Sequence, residues 1–320
     1  MTRTDIYVAG YVDNGARLTA TLWTNGNAVA LTADTQGSLA TAVTVSQNGD
    51  VYVAGGVAGG VADMAVYWKN GAVIALTDGT RQSFAEAIAV SGGHVYVAGY
   101  ETDERKGFFV AKLWKDGVAT PLTNGDSIAD ALSIAVSGSD LHVAGFERVT
   151  TQVAPNEFVS ADVARYWKNG VAMALTDGRN EAVASSVALS GGDVYVAGWE
   201  GAGSVFVAKV WKNGAALALT DGVLSAKAMA VTISGGDVVA VGAEFNGSFD
   251  VPKIWRNGVP QSLSTGPQQA FAEAVATAGS DVYVAGYTGS SAMYWKNGIA
   301  HALNHAPGDA DGRSIAIYEH

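Results

Sequence analysis

The 320 residues contain no cysteine, and only 15% of them are charged. The first absence excludes disulfides and thiolate chemistry and leaves the redox compartment open. The second, together with 40 glycines, disfavours helices with charged faces and favours short, well-buried strands joined by tight turns. No apolar run approaches the roughly 20 residues of a membrane-spanning helix, so no membrane partner is expected. A basic face is also missing. Nineteen Lys and Arg stand against 30 Asp and Glu, a formal net charge of −11, which argues against nucleic acid and anionic lipid as partners. No export signal precedes the first strand at Asp5; a cytoplasmic location is expected if the chain is complete, and secretion if a leader has been removed. A Gly-x-Ser-x-Gly elbow, a Walker loop, a dinucleotide fingerprint and paired histidine ligands are all lacking, so no cofactor is expected.

What is present is one unit, seven times. V-Y-V-A-G at residues 194–198 returns in variants at 6–10, 51–55, 95–99, 141–145, 238–242 and 282–286. V-W-K-N-G at 210–214 returns around Trp23, Trp68, Trp114, Trp167, Trp255 and Trp295. In the copy at 184–220, alternating small and β-branched residues predict strand a at 185–190, and Ser190-Gly191-Gly192-Asp193 predicts a turn. Strand b is 194–198, a loop of variable length leads to strand c at about 206–212, Asn213-Gly214 reverses the chain, and strand d is 215–219. A four-stranded meander of this length matches a propeller blade, which cannot bury both its faces alone.

Spacing decides between a closed ring and an open array. Successive repeat tryptophans lie 45, 46, 53, 44, 44 and 40 residues apart, and 48 residues separate Trp295 from Trp23 around the join of the two ends. The join is one more repeat. Residues 313–317 match strand a of the other copies yet have no strand b after them; that strand b stands at residues 5–10. The predicted fold is therefore all-β, a single seven-bladed propeller domain over residues 1–320. Its closing blade is formed by about 1–32 plus 312–320, which removes exposed sheet edges. The chain resembles seven-bladed β-propellers along its whole length. The strand-b end is similar to the kelch pattern, although a second glycine follows only at Gly56, and the Gly-His and Trp-Asp pairs of WD40 rings are absent. The Y-W-K-N-G units resemble those of bacterial repeat proteins. None of these likenesses implies a particular activity.

The a–b and c–d turns close one face and hardly vary, whereas the b–c and d–a connections open on the other and vary greatly, so binding is expected on the b–c/d–a face. Lys69, Lys115, Lys168, Lys212, Arg256 and Lys296 in the c–d turns predict a partly basic underside. Glu101, Asp103, Glu104, Glu147, Glu200, Glu244, Asp309 and Asp311 predict an acidic top.

Three groups of candidates lie on that top. Strand b ends in an aromatic residue in five copies, Tyr11, Tyr100, Phe146, Trp199 and Tyr287, and a glutamate follows at Glu101, Glu147, Glu200 and Glu244. A ring covering C–H patches beside an acid that accepts hydroxyl bonds suits a sugar or a cation; the plainer reading is packing between blades. Near the top of strand a, one position drifts through Thr41, Glu86, Leu132, Ser185, Met229, Glu273 and Arg313. Glu86, Glu273 and Arg313 are expected near the channel mouth, where a buried carboxylate has a raised pKa useful for proton transfer; a solvated rim without partners is the alternative. The long connections at 100–111 and 146–164, with Phe108, Phe109 and Phe158, offer a contact patch for a protein. His94 and His142 read as structural. His305, Asp309 and Asp311 faintly resemble a calcium loop but lack its later glutamate, so no metal is assigned.

The expected function is a noncatalytic, monomeric binding or interaction module whose partner at the channel mouth is a small molecule, a glycan included, or a protein. A propeller hydrolase or lyase with carboxylate general acid and base is the alternative, and a protein–protein scaffold a second.

Overall fold

The Asn-Gly signals set the frame. At the c–d reversal of every blade one residue, Asn25, Asn70, Asp116, Asn169, Asn213, Asn257 or Asn297, has φ of 49–51°, and the glycine after it is also left-handed. Two consecutive positive φ angles match the right-handed twist of the strands they join. In a computed structural model that describes residues 3–33, 36–263 and 266–320, the chain forms 28 strands in seven four-stranded antiparallel sheets, a seven-bladed β-propeller. No helix of the described residues is long and apolar enough to cross a membrane.

Blades I to VI each begin with an inner strand a: Ser38–Val45, Ser83–Ser91, Ala129–Ser137, Ala182–Ser190, Ala226–Ser234 and Ala270–Ala278. Blade VII takes its strand a from the C-terminus, Asp309–Glu319, and its strands b to d from the N-terminus, Thr4–Asp13, Leu18–Thr24 and Asn27–Ala30. The two ends pair from Thr4 opposite Glu319 to Asp13 opposite Asp309. Inner strands of neighbouring blades touch all the way round the channel.

Between blades the repeat tryptophans form the core. Each of the seven is at most 1% exposed, and each packs against the preceding blade: Trp255 on Tyr195, Ala197 and Ala208 of blade IV, and Trp23 on Tyr283, Ala285 and Ala292 of blade VI. The alanines explain themselves, because only a small residue leaves room for an indole. Burying such a ring removes roughly 150–250 Å² from water, worth about 4–6 kcal/mol in transfer energy. Trp23 Nε1 donates to the Asn304 carbonyl at 2.7 Å, but the indole nitrogens of Trp68, Trp167, Trp211, Trp255 and Trp295 have no acceptor among the described residues. An unmade bond of this kind costs about 1–3 kcal/mol, so burial of the ring still wins.

Every strand a also carries a β-bulge. The register against strand b slips by one residue at Thr41, Glu86, Leu132, Ser185, Met229, Glu273 and Arg313. A bulge leaves its extra residue unpaired and re-aims the side chain. The repeated strand-b glycine makes room for it. A Cβ on Gly99 would lie 2.1 Å from the Phe84 carbonyl oxygen, and one on Gly198 would lie 1.9 Å from that of Val183; the other five strand-b glycines meet strand a in the same way. Only a residue without a side chain tolerates that approach.

Two sequence expectations need correction. Residues 146–164 are not a loop: Asp140–Ala154 and Glu157–Lys168 stay paired as far as Ala154 opposite Glu157, with a one-residue slip after Gln152, and the chain turns at Asn156. Alternating Val, Thr and Phe carry the ladder outward beyond the blade. Nor is the underside basic. Asp50, Asp140, Asp193, Asp237 and Asp281, which open their strands b, pair with Lys69, Lys168, Lys212, Arg256 and Lys296 at 2.7–2.9 Å. The same aspartates accept from Asn70, Asn169, Asn213, Asn257 and Asn297 at 2.7–2.9 Å. In blade II the roles are exchanged, with His94 opposite Asp116 at 2.6 Å. Five of the six c–d-turn cations are thus neutralised locally, while Lys115 lies 5.4 Å from the centre of the Tyr96 ring, and the excess negative charge lies on the loop face.

Replacing Gly198 by Ala is expected to destabilise the protein by about 3 kcal/mol, through overpacking against the bulge. Gly203→Ala, at a left-handed turn position with no atom near the added methyl, is expected to cost only about 1 kcal/mol. Urea denaturation of both variants checks this; equal costs would show that the strand-b glycine does not hold the bulge.

Candidate functional site at the channel mouth

The bulges point side chains toward the common axis. Glu86 of blade II and Arg313 of blade VII belong to blades that are not neighbours, yet they interact electrostatically, as do Glu273 and Arg313. Both glutamates are half-buried, and Arg313 keeps 41% of its side chain exposed. Its one ion pair among the described residues is to Asp311 (Nε to Oδ2, 3.3 Å), and its guanidinium lies 5.4 Å from the centre of the Tyr11 ring. Among the described residues neither Glu86 nor Glu273 has a hydrogen bond or an ion pair within 4 Å. Desolvation raises both carboxyls to about 7 against the pull of Arg313, and the Asp311 charge adds to the rise at Glu273. Water-exposed carboxylates titrate two to three units lower.

Two further acids join them that the sequence reading did not propose for this place. Asp130 is 7% exposed, its Oδ1 has no partner among the described residues, and its carboxyl is pushed well up by burial and then by the Glu86 charge. Asp311 is 5% exposed, with Oδ1 likewise unpartnered, and burial raises it while Arg313 opposes. They stand two residues before the bulge: Asp130 is opposite Phe146 and Asp311 opposite Tyr11. The phenols of Tyr11, Tyr100 and Tyr287 are half-buried and raised by desolvation. Four acids, one guanidinium and three phenols therefore line a crescent from blade VI through VII to III. Blades IV and V present Ser185 and Met229 at the bulge instead.

The aromatic and acidic residues at the end of strand b do not form joint clasps. Successive strand residues face opposite sides of a sheet, and the partners confirm the division. Each glutamate reaches diagonally across its blade to a base on strand c: Glu101 to Lys112, Glu147 to Arg165 at 3.0 Å, Glu200 to Lys209, and Glu244 to Lys253 at 3.0 Å. Arg81 adds a second contact to Glu101 at 3.0 Å. Each base sits opposite the strand-b glycine, as Lys112 does opposite Gly99, and the missing side chain opens the diagonal. On the other face Tyr100 stacks on Phe109 at 4.3 Å, Tyr287 on Phe271 at 6.2 Å, and Trp199 meets Phe206 at 4.5 Å. Phe146 is half-buried on the same face.

Other candidates have their own partners. His142 is 5% exposed and bonded to the Tyr166 hydroxyl at 2.6 Å, and burial lowers its pKa. His305 turns its ring onto the Ala306 carbonyl at 2.7 Å, and no group of three metal-ligating side chains occurs among the described residues. Phe108 and Phe158 are exposed, 41% and 62%. A separate cleft of about 500 Å³ between Pro260, Gln261 and Asn297 lies on the turn side of blades V and VI, away from all of these groups.

No protein family model matches the chain, and no curated protein does. Among solved structures it is similar to the β-propeller domain of the Trilobed protease from Pyrococcus furiosus, described as having an open velcro topology. That likeness has a TM-score of 0.56 at 11% identity and covers 96% of this chain and 93% of that one. It is also similar to an acylaminoacyl peptidase from Pyrococcus horikoshii, with a TM-score of 0.52 at 13% identity over 95% of this chain; it spans about half (52%) of the peptidase. At such identities the likeness is one of fold.

The raised acids make stability depend on pH in a stated direction. Between about 4.5 and 7 the folded protein holds protons on Glu86 and Glu273 that the unfolded chain has released, so these groups favour folding at pH 5 and lose that contribution as pH rises through 7. Glu86→Gln and Glu273→Gln are each expected to raise stability by about 1–3 kcal/mol at pH 8 and to change it little at pH 5. Denaturation curves at the two pH values check this, and equal effects at both would contradict the raised pKa values.

Proposed function

We propose that the chain is a noncatalytic binding module that holds a small polyhydroxylated or cationic ligand, a glycan included, on the polar crescent at the channel mouth. The observation that carries this is the pair Glu86 and Glu273, carried on bulges of the innermost strands and without hydrogen-bond partners among the described residues. A partly desolvated acid without a donor destabilises the fold, and a ligand supplying hydroxyl or ammonium donors removes that cost on binding. Arg313 offers the complementary donor set, and Tyr11, Tyr100 and Tyr287 supply apolar faces and hydroxyls of the kind that fix orientation in small-molecule sites. The kelch-like strand end remains a likeness of pattern and adds no ligand. The names of the two structural relatives suggest proteolysis, but a shared fold carries no activity, and this sequence has no Gly-x-Ser-x-Gly elbow.

A second reading rests on one observation. Carboxyls raised to about 7 are suited to general acid catalysis near neutral pH, which keeps a hydrolase or lyase in view. The exposed Phe108 and Phe158 support a protein scaffold less directly, because they lie out on connections of blades II and III.

A glycan array and a thermal-shift screen of polyols and polyamines test the binding reading. A hit is expected to weaken about tenfold or more in Glu86→Gln and in Arg313→Met, in line with loss of a charged hydrogen bond. Absence of any hit, or a hit that ignores both substitutions, removes it; turnover of a glycoside or uronide by the wild type but not by Glu86→Gln would favour the enzyme instead.

A further inference from the structure

Outside the crescent, one cation on the loop face is set apart from the rest. Lys112, Arg165, Lys209 and Lys253 face carboxylates of their own blades, and Arg81, Lys106, Arg148, Arg179 and Arg313 are paired as well. Arg17 and Arg105 are exposed on loops. Lys227, two residues before the blade V bulge, is half-buried and has no ion pair within 4 Å among the described residues. Its ammonium lies instead over two rings, 4.4 Å from the centre of Trp199 and 4.7 Å from that of Phe206. Desolvation lowers its pKa, and the Asp250 charge only partly offsets this.

The same lysine lines a cleft of about 380 Å³ whose other walls include Phe206, Phe245 and Phe271, with Asp250 also on its lining. The Asp250 carboxylate is already engaged by the Gln269 amide at 2.8 Å. The site thus combines three phenyl walls with a positive charge that makes no ion pair within 4 Å among the described residues and that the Asp250 charge only partly offsets, in a volume within the usual range for small-molecule pockets. Ring faces stabilise an ammonium only partly, so a carboxylate is the group whose arrival completes its charge pairing.

We infer that the cleft between Phe206, Phe245 and Phe271 is a binding site for a small aryl carboxylate, its ring held among the phenylalanines and its carboxylate on Lys227 Nζ. The site is separate from the channel mouth and depends on none of the groups proposed to act there.

Isothermal titration with phenylacetate and its neutral analogue phenylacetamide tests the inference. Saturable phenylacetate binding is expected, about ten- to a hundredfold tighter than that of the amide, since a charged hydrogen bond is at stake. Lys227→Gln is expected to abolish the preference for the acid, and Lys227→Arg to retain part of it. Lysines methylated with ¹³C provide a readout independent of affinity: the resonance absent from Lys227→Arg is the one expected to shift with phenylacetate. No saturable binding to the wild type overturns the assignment. So does equal affinity for acid and amide, or unchanged binding by a folded Lys227→Gln variant.

Discussion

The close approach of a strand-b glycine to a strand-a carbonyl, repeated seven times, is the contact on which the arrangement of the ring's centre depends. With no Cβ in the way, strand a takes up one extra residue, and that residue turns toward the channel. The same glycine leaves the space opposite it open on the strand-c side, where a lysine or arginine crosses to the strand-b glutamate in blades II to V. One small residue therefore sets both the inward direction of the variable position and the outer ion pairs. A blade can alter what it presents at the channel without altering how it packs.

Energetically the two faces of the disc differ. On the turn face, Asn and Lys or Arg hold each aspartate, and hydrogen bonds from both keep these carboxyls below their ordinary range. Those groups favour the folded ring above the unfolded aspartate pKa and lose that contribution as pH falls through their own. At the channel mouth the opposite holds. Glu86, Asp130, Glu273 and Asp311 are raised by desolvation, and the mouth is strained electrostatically at neutral pH. Stability is supplied by the tryptophan layers between the blades, which contain none of the polar groups of the mouth.

Much of the fold was legible because it is periodic. Asn213-Gly214 and its counterparts marked the turns, the tryptophan spacing counted the blades, and the orphaned strand a at 313–317 announced its partner at 5–10. The position of Glu86, Glu273 and Arg313 could be located as the one that drifts within a constant frame, but a bulge leaves no mark in a single strand's alternation; it is visible only in the register of two. The pairing of Tyr100 with Glu101 looked like a clasp because neighbours in sequence are close, yet the pleat sends them to opposite faces. The basic underside failed for a related reason: Asp193 is 19 residues before Lys212, and only the meander brings them together. Asp130 and Lys227 were missed because they sit where other blades carry Phe, Val or Leu. A charged residue at an apolar position in the repeat was the available signal.

The central claim is that the bulges place partly desolvated carboxyls, without hydrogen-bond partners among the described residues, at the channel mouth, and carboxyl ¹³C titration by NMR addresses it most directly. Two glutamate resonances are predicted to titrate near 7, one absent from Glu86→Gln and the other from Glu273→Gln. Titration of every glutamate in the ordinary range near 4.3 would contradict the account.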